Sequence, residues 1–156
     1  MKKTLLALLC SSALLGSCTK ATDKTCSRVE ITAPAEEVAT LQAYISSKGI
    51  SAVADTRGFF YTISSQGSQV MPTACSNVKV SYTLRLSNGT EVEAANGAEL
   101  SLGRVIPGWQ EGVPLIGEGG SITLYLPPSL GYGSKASASI PANSILVFYI
   151  DLLDVI

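Results

Sequence analysis

The chain has 156 residues, 11 basic and 12 acidic side chains, and no histidine. This length suits one domain with a short extension, and the balanced charge, without a basic stripe, argues against a nucleic-acid partner. The lack of histidine excludes Ser-His-Asp and Cys-His nucleophilic sites and the common zinc ligand sets, so neither a metal nor a cofactor is expected.

The N-terminus is typical of an export signal. Two lysines precede an apolar run from Leu5 to Leu15, which is too short to span a membrane. The run ends in LLGSC, residues 14–18, which resembles a bacterial lipobox, whose cysteine is acylated and becomes the mature N-terminus. We therefore expect a lipoprotein signal peptide over residues 1–17 and anchoring to a lipid bilayer, on the periplasmic side or the cell surface, through acylated Cys18. The alternative is an ordinary signal peptide followed by a free cysteine.

The segment that follows, residues 18–34, is polar and lacks hydrophobic periodicity, which predicts a tether. Cys10 leaves with the signal peptide and Cys18 would be acylated, so Cys26 and Cys75 remain in an oxidising compartment. Their pairing would close a loop of about 50 residues. The sequence favours a disulfide and two free thiols equally.

The first predicted element of the mature chain is an amphipathic helix over residues 35–48, with Gly49 after it as a stop signal. Its apolar stripe consists of Val38, Leu41, Tyr44 and Ile45. Two glutamates in the first turn suit the N-terminal end of a helix. We assign residues 35–54 to an N-terminal helical extension and residues 55–156 to the main domain.

After this helix the hydrophobic period changes to two, which predicts strands. The predicted strands are Gly58–Ser64, Val78–Leu86, Thr90–Ala94, Glu99–Gly103, Ser121–Pro127 and Ser144–Val155. The last is almost continuously apolar, which favours a central position in a sheet. Asn88-Gly89 is predicted to take positive φ angles in a tight hairpin turn. Glu91 and Glu93 are predicted to share one strand face, which argues against a pair of catalytic carboxylates.

A short internal helix is predicted to begin at Pro107, because proline is favoured at the first helical position. Trp109, Val113 and Ile116 share one face of it. The loop over residues 127–143 is rich in Gly, Ser, Ala and Pro. These elements predict an α+β domain in which an antiparallel sheet wraps around a helix.

Three blocks of the sequence together resemble the FKBP-type peptidyl-prolyl cis-trans isomerases: VSYTLRLSNGTEVEA, LGRVIPGWQEGVPLIGEGGSITLYLPPSLGYG and IPANSILVFYIDLLDV. The resemblance spans about residues 58–156. It implies a twisted antiparallel sheet curled round a short helix, with a ligand pocket between them. It also implies isomerisation of Xaa-Pro bonds in exported proteins, so the expected partners are proline-containing unfolded or partly folded polypeptides. The sequence indicates no particular oligomeric state.

The resemblance also assigns site residues, with Trp109 as the pocket floor. The implied catalytic residues are Tyr82, Glu93, Ile106, Trp109 and Tyr132, and the implied substrate-binding residues are Val92, Val105, Ile140 and Phe148. The Ile106 backbone N–H and the Tyr132 hydroxyl would donate hydrogen bonds to the bound peptide. For each side chain, plain core packing is the alternative.

The sequence departs from the family pattern at two places. Val92-Glu93 stands where the family usually has Phe-Asp, and Ala98 stands where an aromatic wall residue is expected. We therefore expect a wider, less aromatic pocket, weak isomerase activity and poor macrolide affinity, and a displaced or lost hydrogen bond at the longer Glu93 side chain. The alternative function is a binding or chaperone module that holds proline-containing segments and isomerises little.

Overall fold

The computed structural model describes residues 29–136 and 139–156 of the chain. The predicted signal peptide, the predicted acylation site Cys18 and Cys26 lie outside the described residues. Cys75 forms a disulfide bond, and its partner cysteine also lies outside them. Within these two ranges, no helix is both long and apolar enough to cross a bilayer.

In the described part of the chain, six antiparallel strands form one sheet. The strands are β1 (Val53–Ala54), β2 (Phe60–Ser65), β3 (Asn77–Leu86), β4 (Glu91–Ser101), β5 (Ser121–Leu126) and β6 (Leu146–Val155). Their order across the sheet is β1-β2-β5-β6-β3-β4. The apolar β6 therefore lies in the interior, between β5 and β3, and the predicted α+β fold class is confirmed.

Helices α1 (Ala35–Ser47) and α2 (Pro107–Gly112) pack on opposite faces of this sheet. Tyr125 of β5 belongs to the apolar cluster around α1, whereas its neighbours Leu124 and Leu126 contact glycines of α2. Successive side chains of a strand alternate between faces, so the sheet separates two apolar cores. The larger core lies on the α2 side.

The predicted stripe of α1 is confirmed. Leu41 is 0 % and Ile45 is 3 % exposed, and both pack against a row of side chains that crosses three strands. That row consists of Phe60, Tyr125 and Val147, which are paired in register. A side chain of α1 also reaches the loop after β5, because Glu37 Oε2 accepts a hydrogen bond from the Ser129 N–H at 2.8 Å.

Helix α2 lies unusually close to β5 because it has glycines one turn apart. A Cβ atom added at Gly108 would lie 2.5 Å from Cδ1 of Leu126, and one at Gly112 would lie 2.6 Å from Cδ1 of Leu124. Any larger residue would push the helix away from the sheet. These contacts fix the position of Trp109, which lies between the two glycines.

The hairpin between β3 and β4 differs from its prediction. The Leu86 N–H donates to the Thr90 carbonyl at 2.9 Å, which leaves a three-residue loop, residues 87–89. Only Gly89 has a positive φ, +91°, so the positive φ predicted for Asn88 is wrong. The Asn88 side chain instead accepts a hydrogen bond from the Thr90 N–H at 2.9 Å. This pattern fits a type I turn followed by a left-handed glycine.

Strand β4 is continuous, whereas the sequence predicted two short strands with a break between them. The pairing with β3 shifts register between Val80 and Tyr82 and again between Leu84 and Arg85. Gly97, with φ +69°, lies at the first of these shifts. The bulges accommodate extra residues without ending the strand, so the loss of alternation in the sequence does not mark a loop.

The last residues of the predicted tether pack on the domain. Ala33 is 7 % exposed and its N–H donates to the Arg57 carbonyl at 2.9 Å. Ile31 packs against the main core, and the Val29 N–H donates to Oε1 of Gln110 in α2 at 3.3 Å. Residues 29–34 therefore run along the domain to the back of the helix that carries Trp109.

Candidate functional site

A cavity of about 260 Å³ opens between the sheet and α2. Its lining residues are Tyr82, Glu93, Leu100, Arg104, Val105, Ile106, Trp109, Tyr132 and Phe148. They come from β3, β4, β6, α2 and the loops before α2 and after β5. Most of these side chains are apolar or aromatic, which is typical of a site for an uncharged or partly apolar ligand.

Trp109 forms the base of the cavity. It lines the cavity although only 3 % of it is exposed. Its ring is perpendicular to those of Tyr82 (5.1 Å, 88°) and Phe148 (5.3 Å, 86°), the edge-to-face arrangement that aromatic pairs favour. The indole Nε1 is buried and has no hydrogen-bond partner among the described residues.

Buried polar side chains hold α2 in place behind the cavity. Glu111 is 2 % exposed and forms an ion pair with Arg57, which also binds Asp55 through Nε at 2.7 Å. Gln110 is 3 % exposed, and its Nε2 donates to the Val105 carbonyl at 3.0 Å. Since buried polar groups of this kind fix geometry when they are satisfied, α2 is a rigid support for Trp109.

One wall of the cavity carries a hydrogen-bonded pair. The Tyr82 hydroxyl donates to Oε1 of Glu93, so the hydrogen bond that was expected to be displaced or lost at the longer carboxylate is not lost. Burial, followed by the hydrogen bond and charge of Glu93, raises the pKa of Tyr82 above its ordinary value. The phenol therefore stays neutral at physiological pH and holds the carboxylate beside it.

The bulge in β4 at Val92 decides which glutamate enters the cavity. Glu91 is paired with Arg85, whereas Glu93 is paired with Leu84, so the two glutamates lie on opposite faces. The prediction that they share one face is wrong, because the extra residue in the bulge reverses the alternation. Glu91 instead binds Arg85 on the outer face, with Oε2 and Nη2 3.2 Å apart.

Two groups at the mouth of the cavity are free to donate hydrogen bonds. The Ile106 N–H precedes α2 and has no acceptor within the described residues. Tyr132 is 41 % exposed on the loop after β5. Burial, and secondly the charge of Glu93, raises the pKa of Tyr132, so its hydroxyl also remains protonated.

Seven of the nine side chains that the resemblance assigned to the site line the cavity. They are Tyr82, Glu93, Val105, Ile106, Trp109, Tyr132 and Phe148. The other two lie outside the lining: Ile140 is 6 % exposed within the main core, and Val92 is partly buried against that core. Among the described residues, no group of three or more Cys, Asp or Glu side chains is arranged to hold a metal ion.

Leu100 and Arg104 line the cavity and were not predicted. Leu100 lies two residues after Ala98 on the same strand, and therefore on the same face, whereas Ala98 itself does not line the cavity. Strand alternation from Ala98 could have identified Leu100. No sequence pattern indicated Arg104, which follows the end of β4 in a 3-10 turn over Leu102–Arg104.

Comparison with protein families matches residues 68–153 to the FKBP-type peptidyl-prolyl cis-trans isomerases. The FkpA isomerase of Buchnera aphidicola is 40 % identical over 120 residues, which cover 74 % of this chain and 47 % of that protein. FkpA of Escherichia coli K12 is 37 % identical over 118 residues, 73 % of this chain and 43 % of that protein. The chain therefore spans less than half the length of these relatives.

Solved structures show the same fold. The crystal structure of Escherichia coli FkpA superposes with a TM-score of 0.70 and 33 % identity, covering 78 % of this chain and 60 % of the other. An isomerase structure from Pseudomonas syringae gives a TM-score of 0.68 over 81 % of this chain and 98 % of the other. At 24 % identity, the second likeness concerns the fold alone.

Proposed function

The chain belongs to the FKBP-type peptidyl-prolyl cis-trans isomerase family, and we propose that it isomerises Xaa-Pro bonds in proline-containing unfolded or partly folded polypeptides. The observation that carries this proposal is the aromatic cavity with Trp109 at its base. A flat apolar ring, framed by Tyr82 and Phe148, suits the face of a proline ring.

The reaction needs no nucleophile. Rotation about an amide costs about 18–20 kcal/mol because resonance is broken, while the two Xaa-Pro isomers differ by only about 0.5–1 kcal/mol. The twisted amide has lost its charge separation. Transfer from water into an apolar cavity therefore disfavours the planar polar amide more than the transition state, which lowers the barrier.

Hydrogen bonds hold the peptide while its bond turns. The Ile106 N–H and the Tyr132 hydroxyl, which are free to donate, would bind carbonyl groups on either side of the proline. Glu93 fixes the Tyr82 ring against Trp109, and Val105 completes the apolar wall. Val92 and Ile140 support this wall from the core behind it.

The alternative is a module that holds proline-containing segments and isomerises them little. It is favoured by the missing aromatic walls, since neither Val92 nor Ala98 lines the cavity and the family usually has aromatic residues at both positions. Fewer aromatic contacts would bind the twisted amide less selectively, while leaving affinity for proline rings.

Exchange NMR on a short Xaa-Pro peptide separates the two functions. We expect the cis and trans signals to exchange faster with the protein than without it. Trp109, as the single tryptophan, reports peptide binding by fluorescence in the same samples. A fluorescence change without faster exchange would support the holding module and exclude the isomerase.

We further propose that the protein is exported and anchored to a bilayer by acylated Cys18. The support is the lysine pair, the short apolar run and LLGSC at residues 14–18. Slow Xaa-Pro isomerisation limits folding wherever exported chains emerge unfolded, so a tethered isomerase would act on those chains.

A further inference from the structure

We propose that Arg104 is a specificity-determining residue, which makes the cavity favour proline segments with an acidic side chain directly beside the proline. This inference rests on the proposed function, because it concerns the peptide that the same cavity binds. It adds a charge preference to a site that is otherwise apolar and aromatic.

Arg104 lies where a residue flanking the proline would pass. It lines the cavity together with Val105, Ile106 and Trp109, and its side chain is exposed to solvent. The backbone N–H of Ile106, two residues along, is the free donor proposed to hold the peptide. A peptide bound there has its neighbouring side chains within reach of the long arginine side chain.

The guanidinium of Arg104 is available for a ligand. Over residues 29–136 and 139–156, Arg57 pairs with Asp55 and Glu111, and Arg85 pairs with Glu91. By contrast, Arg104 has no carboxylate within 4.0 Å in these ranges. An unpaired guanidinium offers a planar fork of donors that matches a carboxylate.

The other charged residue of the lining, Glu93, acts on a different part of the cavity. Its carboxylate accepts the hydrogen bond of the Tyr82 hydroxyl, and after burial its charge is a further cause of the raised pKa of Tyr82 and of Tyr132. Arg104 forms no ion pair with Glu93, because no carboxylate oxygen lies within 4.0 Å of its guanidinium among the described residues. The cation and the anion are therefore separated, and a flanking carboxylate can approach Arg104 without first displacing Glu93.

The test compares peptides that differ only beside the proline, with Glu, Gln or Lys at the position directly before or directly after it. For each peptide, kcat/KM is measured by exchange NMR and Kd by Trp109 fluorescence. With the native chain we expect kcat/KM for the Glu peptide to exceed that for the Gln peptide by about two- to fivefold at low salt. The factor is modest because Arg104 is exposed and its charge is partly screened. The preference should shrink in 0.5 M salt. In Arg104→Glu the preference should invert, so that the Lys peptide is favoured over the Glu peptide.

Lys48→Glu is the matched control, because it changes the net charge equally at an exposed residue that does not line the cavity. It should keep the native preference for the Glu peptide.

The contradicting outcome is a ratio of the Glu peptide to the Lys peptide, in either kcat/KM or Kd, that is the same in Arg104→Glu as in the native chain. It would overturn the inference about Arg104 and leave the proposed isomerase activity intact. Binding without isomerisation would exclude the isomerase, and the Kd ratios would still decide the role of Arg104. A chain that neither binds nor isomerises any of the peptides would overturn both.

Discussion

The Tyr82 hydroxyl donates a hydrogen bond to Oε1 of Glu93 across two neighbouring strands of the cavity wall. The same tyrosine ring makes an edge-to-face contact with Trp109, so the carboxylate helps to fix the orientation of the cavity base. The extra methylene of Glu93, relative to aspartate, does not prevent this contact. The bulge at Val92 places Glu93 on the same face of the sheet as Tyr82.

Replacement of Glu93 by glutamine should lower the pKa of Tyr82 only part of the way to its ordinary value. Burial is the largest cause of the rise, and the hydrogen bond and charge of Glu93 come second. Absorbance titration of the phenol, with Tyr82→Phe subtracted to isolate its signal, measures the change. A pKa that stays unchanged in Glu93→Gln would show that the carboxylate does not act on Tyr82.

The same shift predicts a pH dependence of stability. Because the folded-state pKa of Tyr82 is raised, its contribution to the free energy of unfolding is fully present below about pH 10 and is lost as the pH rises above that value. Urea unfolding between pH 9 and 11.5 should therefore show a steeper decline for the native chain than for Tyr82→Phe. Equal slopes would contradict the prediction.

Removal of the Tyr132 hydroxyl should weaken catalysis without affecting the fold. Tyr132→Phe removes one hydrogen bond to the peptide, for which we expect a loss of about two- to tenfold in kcat/KM. The midpoint of thermal unfolding should stay unchanged because the residue is 41 % exposed. Tyr149→Phe, at a tyrosine that is 45 % exposed and does not line this cavity, is the control and should keep full activity.

Alanine at Gly108 should destabilise the protein even though alanine favours helices. The new Cβ would lie 2.5 Å from Cδ1 of Leu126, so α2 must move off the sheet. We expect a loss of about 1–3 kcal/mol in the free energy of unfolding, more than the gain of about 1 kcal/mol in helix propensity. Chemical denaturation measures it. The double variant with Leu126→Ala should lose less than the sum of the single losses, and strict additivity would rule out this contact as the cause.

Acylation at Cys18 predicts a specific labelling pattern. Metabolic labelling with a fatty acid analogue should mark the native chain and Cys26→Ala, but not Cys18→Ala. A hydrophobic anchor on the mature N-terminus should also place the labelled chain in the membrane fraction. Labelling that persists in Cys18→Ala would exclude this residue as the anchor.

We predict that Cys26 is the disulfide partner of Cys75. The Val29 N–H donates to Gln110, and Gln110 lines one surface cavity together with Cys75. Cys26 is three positions before Val29, and three extended residues span about 10 Å, so Cys26 is the cysteine nearest along the chain to this cavity. Peptide mapping without reduction should recover the two cysteines linked. A loop of about 50 residues would contribute roughly 4 kcal/mol, so Cys26→Ser should lower the unfolding midpoint. Linkage of Cys75 to Cys10 or Cys18 would refute the pairing.

Local sequence patterns determined most of the fold. The spacing of Leu41 and Ile45 gave α1, Pro107 gave the start of α2, and period-two alternation gave β3 and β5. Each of these features depends on residues close together in the chain, which carry the signal themselves. The resemblance added seven residues that line the cavity, because its blocks include both the helix and the strands around it.

By itself, then, the sequence determined the class of the fold, the family and the indole at the base of the cavity. Three features became visible only in the folded molecule: Glu93 rather than Glu91 faces Tyr82, residues 29–34 pack behind α2, and Leu100 and Arg104 complete the lining. The physical reason is that a bulge, a docked segment and a cavity wall are each set by a distant partner. A one-residue change of register reverses the face of every later side chain, and it depends on pairing across strands rather than on neighbours along the chain.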